Sequence, residues 1–243
     1  MVGYDDAVSA PPPAREPIVV ERQAQIAEFC ALARDEGRFA FDTEFVMEDR
    51  YEAEVCLVQL AARQTVLLID PFLELDLKPV WELVADDSVE TVVHAGQEDL
   101  AVAFRVTDKV PRRVFDVQIA AGFVGLEYPI SLQKLVQAMM HVRLHKSKTL
   151  TDWRKRPLTA AQLKYAADDV SYLPAIRKKL HDRLAKRGRI TWAEEEFRRF
   201  EDLTLYVRDD DEKLRRVKGM SMLKGQQLHV ARRLLTWRDE LAQ

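Results

Sequence analysis

The sequence is poor in the features that mark secreted and membrane proteins. Its 243 residues include only two cysteines, Cys30 and Cys56, too few for a disulfide framework or a zinc cluster. No apolar run approaches the ~18 residues of a membrane span, and the first residues contain no apolar signal region. We therefore expect a cytoplasmic protein that has no membrane partner.

The sequence also lacks an excess of positive charge. Its 37 Lys and Arg residues are outnumbered by 40 Asp and Glu residues, which gives a formal net charge of −3. Overall charge therefore makes no case for nucleic-acid binding, and any such case must rest on local charge. Hydrophobic residues make up 47% of the chain and charged residues 32%, which excludes a disordered or fibrous protein.

The first part of the chain predicts an α/β fold. Residues 1–17 contain four of the prolines and predict a flexible tail. Short connections separate three strand-like runs, which favours antiparallel neighbours; the runs are 38–45, 54–61 and 65–70. Helix and strand patterns then alternate, at 77–85, 90–94, 97–104 and 113–117. This order predicts a mixed sheet flanked by helices, within the α/β class.

The remainder of the chain is predicted to be helical. Ser131 is a candidate N-cap, and Thr159 with Gln162 forms the Thr-x-x-Gln pattern of a capping box. Pro174 should end or kink the helix that begins there, since proline has no amide hydrogen to donate. Further helices are predicted at about 191–206 and 221–242. We therefore predict an 18–186 domain followed by a helical extension, 187–243.

The segment FDTEF at 41–45 is the first candidate metal site. Asp42 and Glu44 lie two residues apart in a predicted strand, so both carboxylates should point to the same face. Between apolar neighbours two such charges repel each other unless a cation lies between them, and oxygen ligands suit Mg²⁺ or Mn²⁺. The alternative, which this pair alone favours, is an exposed strand end with two solvated acids.

Two further segments carry acids in defined positions. In HAGQEDL, Asp99 lies in the first turn of a predicted helix, where it could simply complement the helix dipole. In YAADD, Tyr165 and Asp169 lie four residues apart and therefore share a helix face. A Tyr–Asp pair on a helix surface usually has no catalytic role, so each segment is a weak signal when it is taken alone.

Together the three segments resemble the exonuclease motifs of the DEDD superfamily. Asp42 and Glu44 match the first motif, Asp99 the second and Asp169 the third, while Tyr165 resembles the tyrosine of the DEDDy branch. The surrounding sequence resembles ribonuclease D over roughly residues 18–185, in the segments DTEFVMEDRYEAEVCLVQLA, VVHAGQEDL, SLQKLV, KTLTDWRKRPLT and YAADDVSYL.

The resemblance implies a ribonuclease H-like fold and a 3′-5′ exonuclease that releases 5′-nucleoside monophosphates. It further implies hydrolysis by two divalent metal ions (Mg²⁺ or Mn²⁺) about 3.5–4 Å apart. By resemblance, Asp42 would bridge the ions, Glu44 and Asp169 would bind the first, and Asp99 would act largely through water on the second. Tyr165 would orient the attacking water, because a free tyrosine with a pKa near 10 is a poor base at neutral pH.

The resemblance also suggests contacts with the end of the substrate. Phe45 is the candidate for stacking on the terminal nucleotide, although a core aromatic is an equally good interpretation. His94 could contact the substrate, but it follows a buried strand and a structural histidine is the somewhat better interpretation.

Local basic charge follows in residues 141–156, which hold six Lys or Arg residues and one acid. Basic groups there could bind substrate phosphates and screen the acidic site. Lys148, Trp153 and Arg156 are the preferred contacts. Trp153 could stack on a base or could equally anchor the loop in the core.

The implied partner is nucleic acid, with single-stranded 3′ ends of structured RNA precursors such as tRNA as the expected substrate. No obligate protein partner is evident. The end of the chain, at 227–243, resembles only the opening helix of an HRDC domain, which puts substrate affinity and processivity in doubt. The alternatives are a DEDDy exonuclease for DNA and a nucleic-acid-binding module with little activity.

Overall fold

The structure is a computed structural model, which describes residues 16–47, 53–144, 152–207, 214 and 217–242. A six-stranded sheet lies at its centre. The strands are β1 (Ile18–Val19), β2 (Arg38–Val46), β3 (Glu54–Ala62), β4 (Thr65–Ile69), β5 (Glu90–Val93) and β6 (Val114–Asp116). Most of the predicted tail, residues 1–15, lies outside the described residues.

The sheet is mixed, as predicted. Its strand order is β1-β4-β3-β2-β5-β6. The three strands joined by short connections, β2, β3 and β4, are antiparallel neighbours, whereas β5 and β6 continue the sheet parallel to β2. The carboxyl ends of β2, β5 and β6 therefore lie at one edge of the sheet, where side chains from different strands can meet.

Helices cover both faces of the sheet. One face packs against α1 (Gln23–Glu36), α2 (Lys78–Val84) and α3 (Gln97–Thr107). The other packs against α4 (Val117–Phe123), α5 (Leu132–Met140), α6 (Ala160–Ser171), α7 (Leu173–Lys186) and α8 (Ile190–Phe197). These layers confirm the predicted α/β class with a sheet between helices.

The alternation along β2 decides which residues face which layer. Phe39 and Phe41 are buried in the core formed with α1, α2 and α3, and Ala40 is buried in the core formed with α4 to α8. Because strand side chains alternate, Asp42 and Glu44 lie on the face of Ala40. The strand therefore presents both acids toward the layer that contains α6.

The helix signals in the middle of the chain are confirmed. The Ser131 side chain accepts a hydrogen bond from the Lys134 amide at the start of α5. Thr159 and Gln162 form the capping box that begins α6. Pro174 lies at the second position of α7, directly after α6 has ended at Ser171.

Two predicted elements end earlier than expected. The helix predicted at 191–206 is α8 followed by 3₁₀ turns at Arg198–Glu201 and Leu203–Leu205. Phe197 and Phe200 belong to the cores on opposite faces of the sheet, which a continuous helix could not reach with both side chains. The strand predicted at 113–117 is shorter, because Asp116 is the N-cap of α4.

The C-terminal helix begins later than its sequence pattern suggests. The helix α9 (Gln226–Ala242) follows a 3₁₀ turn at Met220–Met222. Directly before it stands Gly225, whose φ of 55° is left-handed. Ala231 and Leu235 of this helix form a small cluster of their own with Leu214. The proposed division of the chain at residues 186 and 187 stays a prediction. No helix within the described residues is long and apolar enough to cross a membrane.

Candidate active site

The first pair of acids lies in the second half of β2. Asp42 faces Gln59 and Glu44 faces Leu57 across the antiparallel pair with β3. A register shift between Glu44 and Phe45 interrupts the pairing immediately afterwards. A bulge of this kind bends the strand and changes the direction of the following side chain, and bulges are frequent beside active sites.

The third acid is presented by a tight turn between β5 and α3. Gly96 stands at the N-cap of α3, where a Cβ would lie only 2.5 Å from the Cβ of Val93. A side chain at this position would therefore push the helix away from the strand. The preceding residue, Ala95, has a left-handed φ of 54°. This compact turn places Asp99 in the first helical turn, close to the edge of the sheet.

Asp116 fixes that turn to the next strand. One oxygen of its carboxylate accepts the Gly96 amide hydrogen, with an N–O distance of 3.3 Å. The other oxygen caps α4 by accepting from the amides of Gln118 (2.8 Å) and Ile119 (3.2 Å). A buried carboxylate with several backbone donors is well satisfied, so Asp116 links the second motif to the core.

Thr43 connects the first two motifs directly. Its amide nitrogen lies 3.0 Å and its hydroxyl oxygen 2.5 Å from the same oxygen of Asp99. Asp99 is only 7% exposed. The residue between Asp42 and Glu44 therefore sets the orientation of the acid on α3, which is what holds two distant segments at one site.

The fourth acid comes from α6, together with the tyrosine. The capping box begins this helix, and Ala166 and Val170 anchor it in the core. The Tyr165 hydroxyl donates a hydrogen bond to the Asp169 carboxylate. The predicted spacing of four residues thus produces a direct contact between these two side chains.

Charges within this group of acids raise the pKa of Asp42, Glu44 and Asp169. Burial raises the pKa of Asp42 well above its usual value, and the charges of the three other acids raise it further. Burial, followed by the charges of Asp169 and Asp99, raises the pKa of Glu44 to about 8. The side chains therefore share one electrostatic field, although they come from three separate elements.

For the two remaining acids, hydrogen-bond donors oppose the rise in pKa. Burial raises the pKa of Asp169 to about 7 and the charge of Asp168 adds to this, while the Tyr165 hydrogen bond lowers it. Burial also raises the pKa of Asp99, and the two hydrogen bonds from Thr43 oppose that rise. Each of these acids thus has a dedicated partner.

The donor set suits a hard divalent cation. Carboxylate oxygens are the ligands that Mg²⁺ and Mn²⁺ prefer, and a cation would relieve the repulsion that raises these pKa values. In their present orientations, no three His, Cys, Asp or Glu side chains in the described ranges form a group that could hold a metal ion together. The chemistry of the acids therefore fits a cation, whose binding would require their side chains to turn.

The predicted substrate contacts near the first two motifs occupy different settings. Phe45 is partly buried and follows the bulge in β2. The His94 ring nitrogen Nε2 lies 2.9 Å from the Ile130 carbonyl oxygen, and burial lowers its pKa. A partner on the protein agrees with the structural interpretation of His94. Both roles at the substrate stay predictions.

The contacts predicted in the basic stretch have partners within the protein. Trp153 is 8% exposed, and its ring centroid lies 6.2 Å from that of Tyr165. The Arg156 guanidinium pairs with Asp70 and also donates to the Cys56 carbonyl oxygen. Both side chains anchor this segment to the fold. Lys148 lies outside the described residues, and the substrate roles of all three stay predictions.

Three residues at this site had no role in the sequence analysis. Thr43 and Asp116 hold the second motif in place, and Gln59 faces Asp42 from the neighbouring strand. An aspartate just before a helix is a local capping signal, so Asp116 could have been found. The contacts of Thr43 and Gln59 depend on strand pairing and helix packing, which no local pattern reports.

Comparison with known proteins identifies relatives that match most of the chain. The family described as 3′-5′ exonuclease matches residues 17–185. A protein named ribonuclease D from Sphingobium indicum is 37% identical over 229 residues, which cover 93% of this chain and 58% of that protein. A second ribonuclease D, from Pseudomonas paraeruginosa, is 37% identical over 92% of this chain and 59% of its own length. The chain thus spans less than two thirds of these relatives.

A solved structure gives the same result. RNase D of Escherichia coli, described as an exoribonuclease involved in structured RNA processing, superposes with a TM-score of 0.84 and 31% identity. That match covers 94% of this chain and 61% of the other. The matched range, 17–185, includes the positions of the four acids and Tyr165. The chain therefore belongs to the 3′-5′ exonuclease family, and the relatives that it resembles over most of its length are ribonuclease D proteins.

Proposed function

We propose that this chain is a metal-dependent 3′-5′ exoribonuclease. It would remove nucleotides one at a time from the 3′ ends of structured RNA, such as tRNA precursors, and release 5′-nucleoside monophosphates. The observation that carries the proposal is the group of four carboxylates, from β2, α3 and α6, in which the charges of the other three raise the pKa of Asp42. Such a field would be unfavourable in a protein whose acids bound no cation.

The residues have distinct parts in the proposed reaction. Asp42, Glu44, Asp99 and Asp169 would bind the divalent ions. When bound, such ions neutralise a phosphodiester, lower the pKa of the attacking water and stabilise the leaving oxygen. Tyr165 would orient that water through its hydroxyl, which already lies beside Asp169.

The choice of metal and of RNA rests on the relatives. NrnC of Brucella melitensis has been solved with bound Mg²⁺, at 27% identity and a TM-score of 0.60 over 70% of this chain, and in a complex with pGG. These structures support a divalent ion and a nucleotide at this fold. The name of the Escherichia coli protein supports structured RNA as the substrate.

The proposal is tested with 5′-labelled single-stranded RNA and DNA of one sequence, each incubated with Mg²⁺, Mn²⁺ or EDTA. We expect a ladder that shortens from the 3′ end, forms faster on RNA and is absent in EDTA. A circular RNA of the same sequence should stay intact, because it has no 3′ end. A faster DNA ladder would change the substrate, cleavage of the circle would indicate an endonuclease, and intact linear RNA would contradict the proposal.

A further inference from the structure

A buried amide in the middle of β3 has no hydrogen-bond partner. Gln59 is 0% exposed, and neither its Nε2 nor its Oε1 atom makes a hydrogen bond within the described residues. An amide removed from water without a partner is unfavourable, so nearly all such groups in folded proteins are paired. An exception of this kind requires a specific reason.

The strand register places this amide directly opposite a candidate metal ligand. Gln59 pairs with Asp42 on one side and with Leu68 on the other. Residues directly opposite each other in an antiparallel pair point to the same face, with Cβ atoms about 4.5–5.5 Å apart. The next residues on that face of β3, Leu57 and Ala61, are apolar. Asp42 is therefore the polar residue that the register places directly opposite Gln59.

The hydrogen bonds of two other acids, Asp99 and Asp169, show what Asp42 lacks. Asp99 is held by Thr43, and Asp169 is held by Tyr165. Within the described residues, the Asp42 carboxylate makes no hydrogen bond with another side chain. An acid without a side-chain partner thus faces an amide without a partner.

We propose that Gln59 is a positioning residue for Asp42, and that its Nε2 donates to the Asp42 carboxylate when this acid binds a divalent ion. The inference rests on the proposed function, since it assigns Asp42 to a metal. Metal ligands are commonly oriented in this way by a second hydrogen-bonded group. The bond requires only side-chain rotation, because the backbone register already brings the two residues opposite each other.

The identity of the residue is consistent with this role. A lysine or arginine in the same place would neutralise Asp42 and compete with the cation, whereas a neutral amide donates a hydrogen bond without adding charge. The donor therefore orients the carboxylate and leaves its negative charge available to the ion. This explains why a polar but uncharged side chain occupies an otherwise apolar part of the strand.

The test replaces the amide by an apolar side chain of similar length, in the variant Gln59→Met. Mn²⁺ binding to the full chain, freed of metal with EDTA and then dialysed, is measured by titration calorimetry. We expect the Mn²⁺ dissociation constant to rise about tenfold, the lower end of the effect of losing a group that orients a ligand. The melting temperature of the metal-free variant should be equal to that of the wild type or higher, because the unpaired amide is gone.

Thr91→Val is the matched control. Thr91 is also 0% exposed and its hydroxyl oxygen also lacks a hydrogen-bond partner, but it lies in β5 opposite Phe39 rather than opposite an acid. This variant should bind Mn²⁺ as the wild type does. Weaker Mn²⁺ binding in Thr91→Val as well would indicate a general packing effect and would overturn the positioning role.

Asp42→Asn separates failure of this inference from failure of the proposed function. If the wild type binds no Mn²⁺, or if Asp42→Asn binds it equally well, the metal site itself is wrong and the inference falls with it. If Asp42→Asn weakens binding while Gln59→Met binds as tightly as the wild type, only the role of Gln59 is overturned. Weaker binding in both variants, with Thr91→Val unchanged, supports it.

Discussion

Charged side chains are arranged differently at the two ends of the parallel strands β2, β5 and β6. At their amino ends, Glu90 pairs with Arg177 at 2.7 Å and Arg112 pairs with Glu201 at 3.0 Å. Three of these side chains, Glu90, Arg177 and Glu201, line a cavity of about 440 Å³. The charges of these two pairs thus neutralise each other within the protein.

The carboxyl ends of these strands carry acidic side chains instead of ion pairs. None of Asp42, Glu44, Asp99 and Asp169 forms an ion pair with a base in the described part of the chain. The hydrogen bonds there fix orientation but add no positive charge, as with Thr43 and Asp99. The comparison teaches that charges at the first end pair within the fold, whereas those at the second have no basic partner, which agrees with the cation site that we propose there.

The largest effect should follow from neutralising one acid at the carboxyl end. Asp42→Asn removes a proposed metal ligand and part of the repulsion between the acids. We expect cleavage of labelled RNA to fall roughly 10³-fold, because metal ions contribute several kcal/mol and about 1.4 kcal/mol corresponds to tenfold in rate. Without metal, the variant should be at least as stable as the wild type, measured by urea unfolding.

Asp182→Asn is the control for this prediction. It makes the same chemical change on α7, where the exposed Asp182 pairs with Lys178 at 3.0 Å. We expect its cleavage rate to stay close to that of the wild type. A loss of less than tenfold in Asp42→Asn would contradict the assignment of Asp42, and a marked loss of stability would show that this acid supports the fold after all.

The second effect concerns the amino end and should appear in stability alone. Arg177→Met leaves Glu90 mostly buried without its partner, since the two side chains are only 15% and 13% exposed. We expect a loss of about 3 kcal/mol in unfolding free energy and a melting temperature lower by roughly 6–12 °C. RNA cleavage at a temperature where the variant is folded should be unchanged.

A double variant shows whether the loss comes from the unpaired charge. Glu90→Leu combined with Arg177→Met removes both charges, and we expect it to regain much of the lost stability, because apolar pairs often replace buried ion pairs without loss. If the double variant is less stable than Arg177→Met, packing rather than charge explains the effect. A tenfold loss of cleavage in folded Arg177→Met would show that the two ends are coupled.

Local patterns predicted much of this structure. The period of two along β2 placed Asp42 and Glu44 on one face, and the capping box at Thr159 located the start of the helix that carries Asp169. These signals depend on neighbouring residues, so they are readable in the sequence. The motifs then identified the family through their order along the chain, which the match over residues 17–185 confirms.

The parts that could not be predicted depend on contacts between distant residues. Thr43 and Asp99 are 56 residues apart, and the partner of Asp42 in β3 is decided by strand register. The end of α8 at Phe197 is another case, because it depends on two aromatic residues packing on opposite faces of the sheet. Sequence periodicity describes one element at a time and does not report such pairings.

The smallest effect is the pH dependence of stability without metal. The folded chain holds the pKa of Glu44 at about 8 against an ordinary 4.5, and that of Asp169 at about 7 against 3.8. Between the ordinary and the raised pKa of each acid, the folded chain binds more protons than the unfolded chain. Its stability must therefore fall as pH rises and level off above about pH 8. Both side chains are partly exposed, and solvent screening should keep the fall small.

Glu44→Gln isolates this contribution. Urea unfolding in EDTA at several values between pH 5 and 8.5 should show a flatter decline for the variant than for the wild type. His94, whose pKa is lowered by burial, acts in the opposite direction but is present in both proteins and cancels in the difference. Parallel curves would mean that burial and the neighbouring acids do not hold Glu44 protonated, and the contrast between the two ends would then rest on the other three acids.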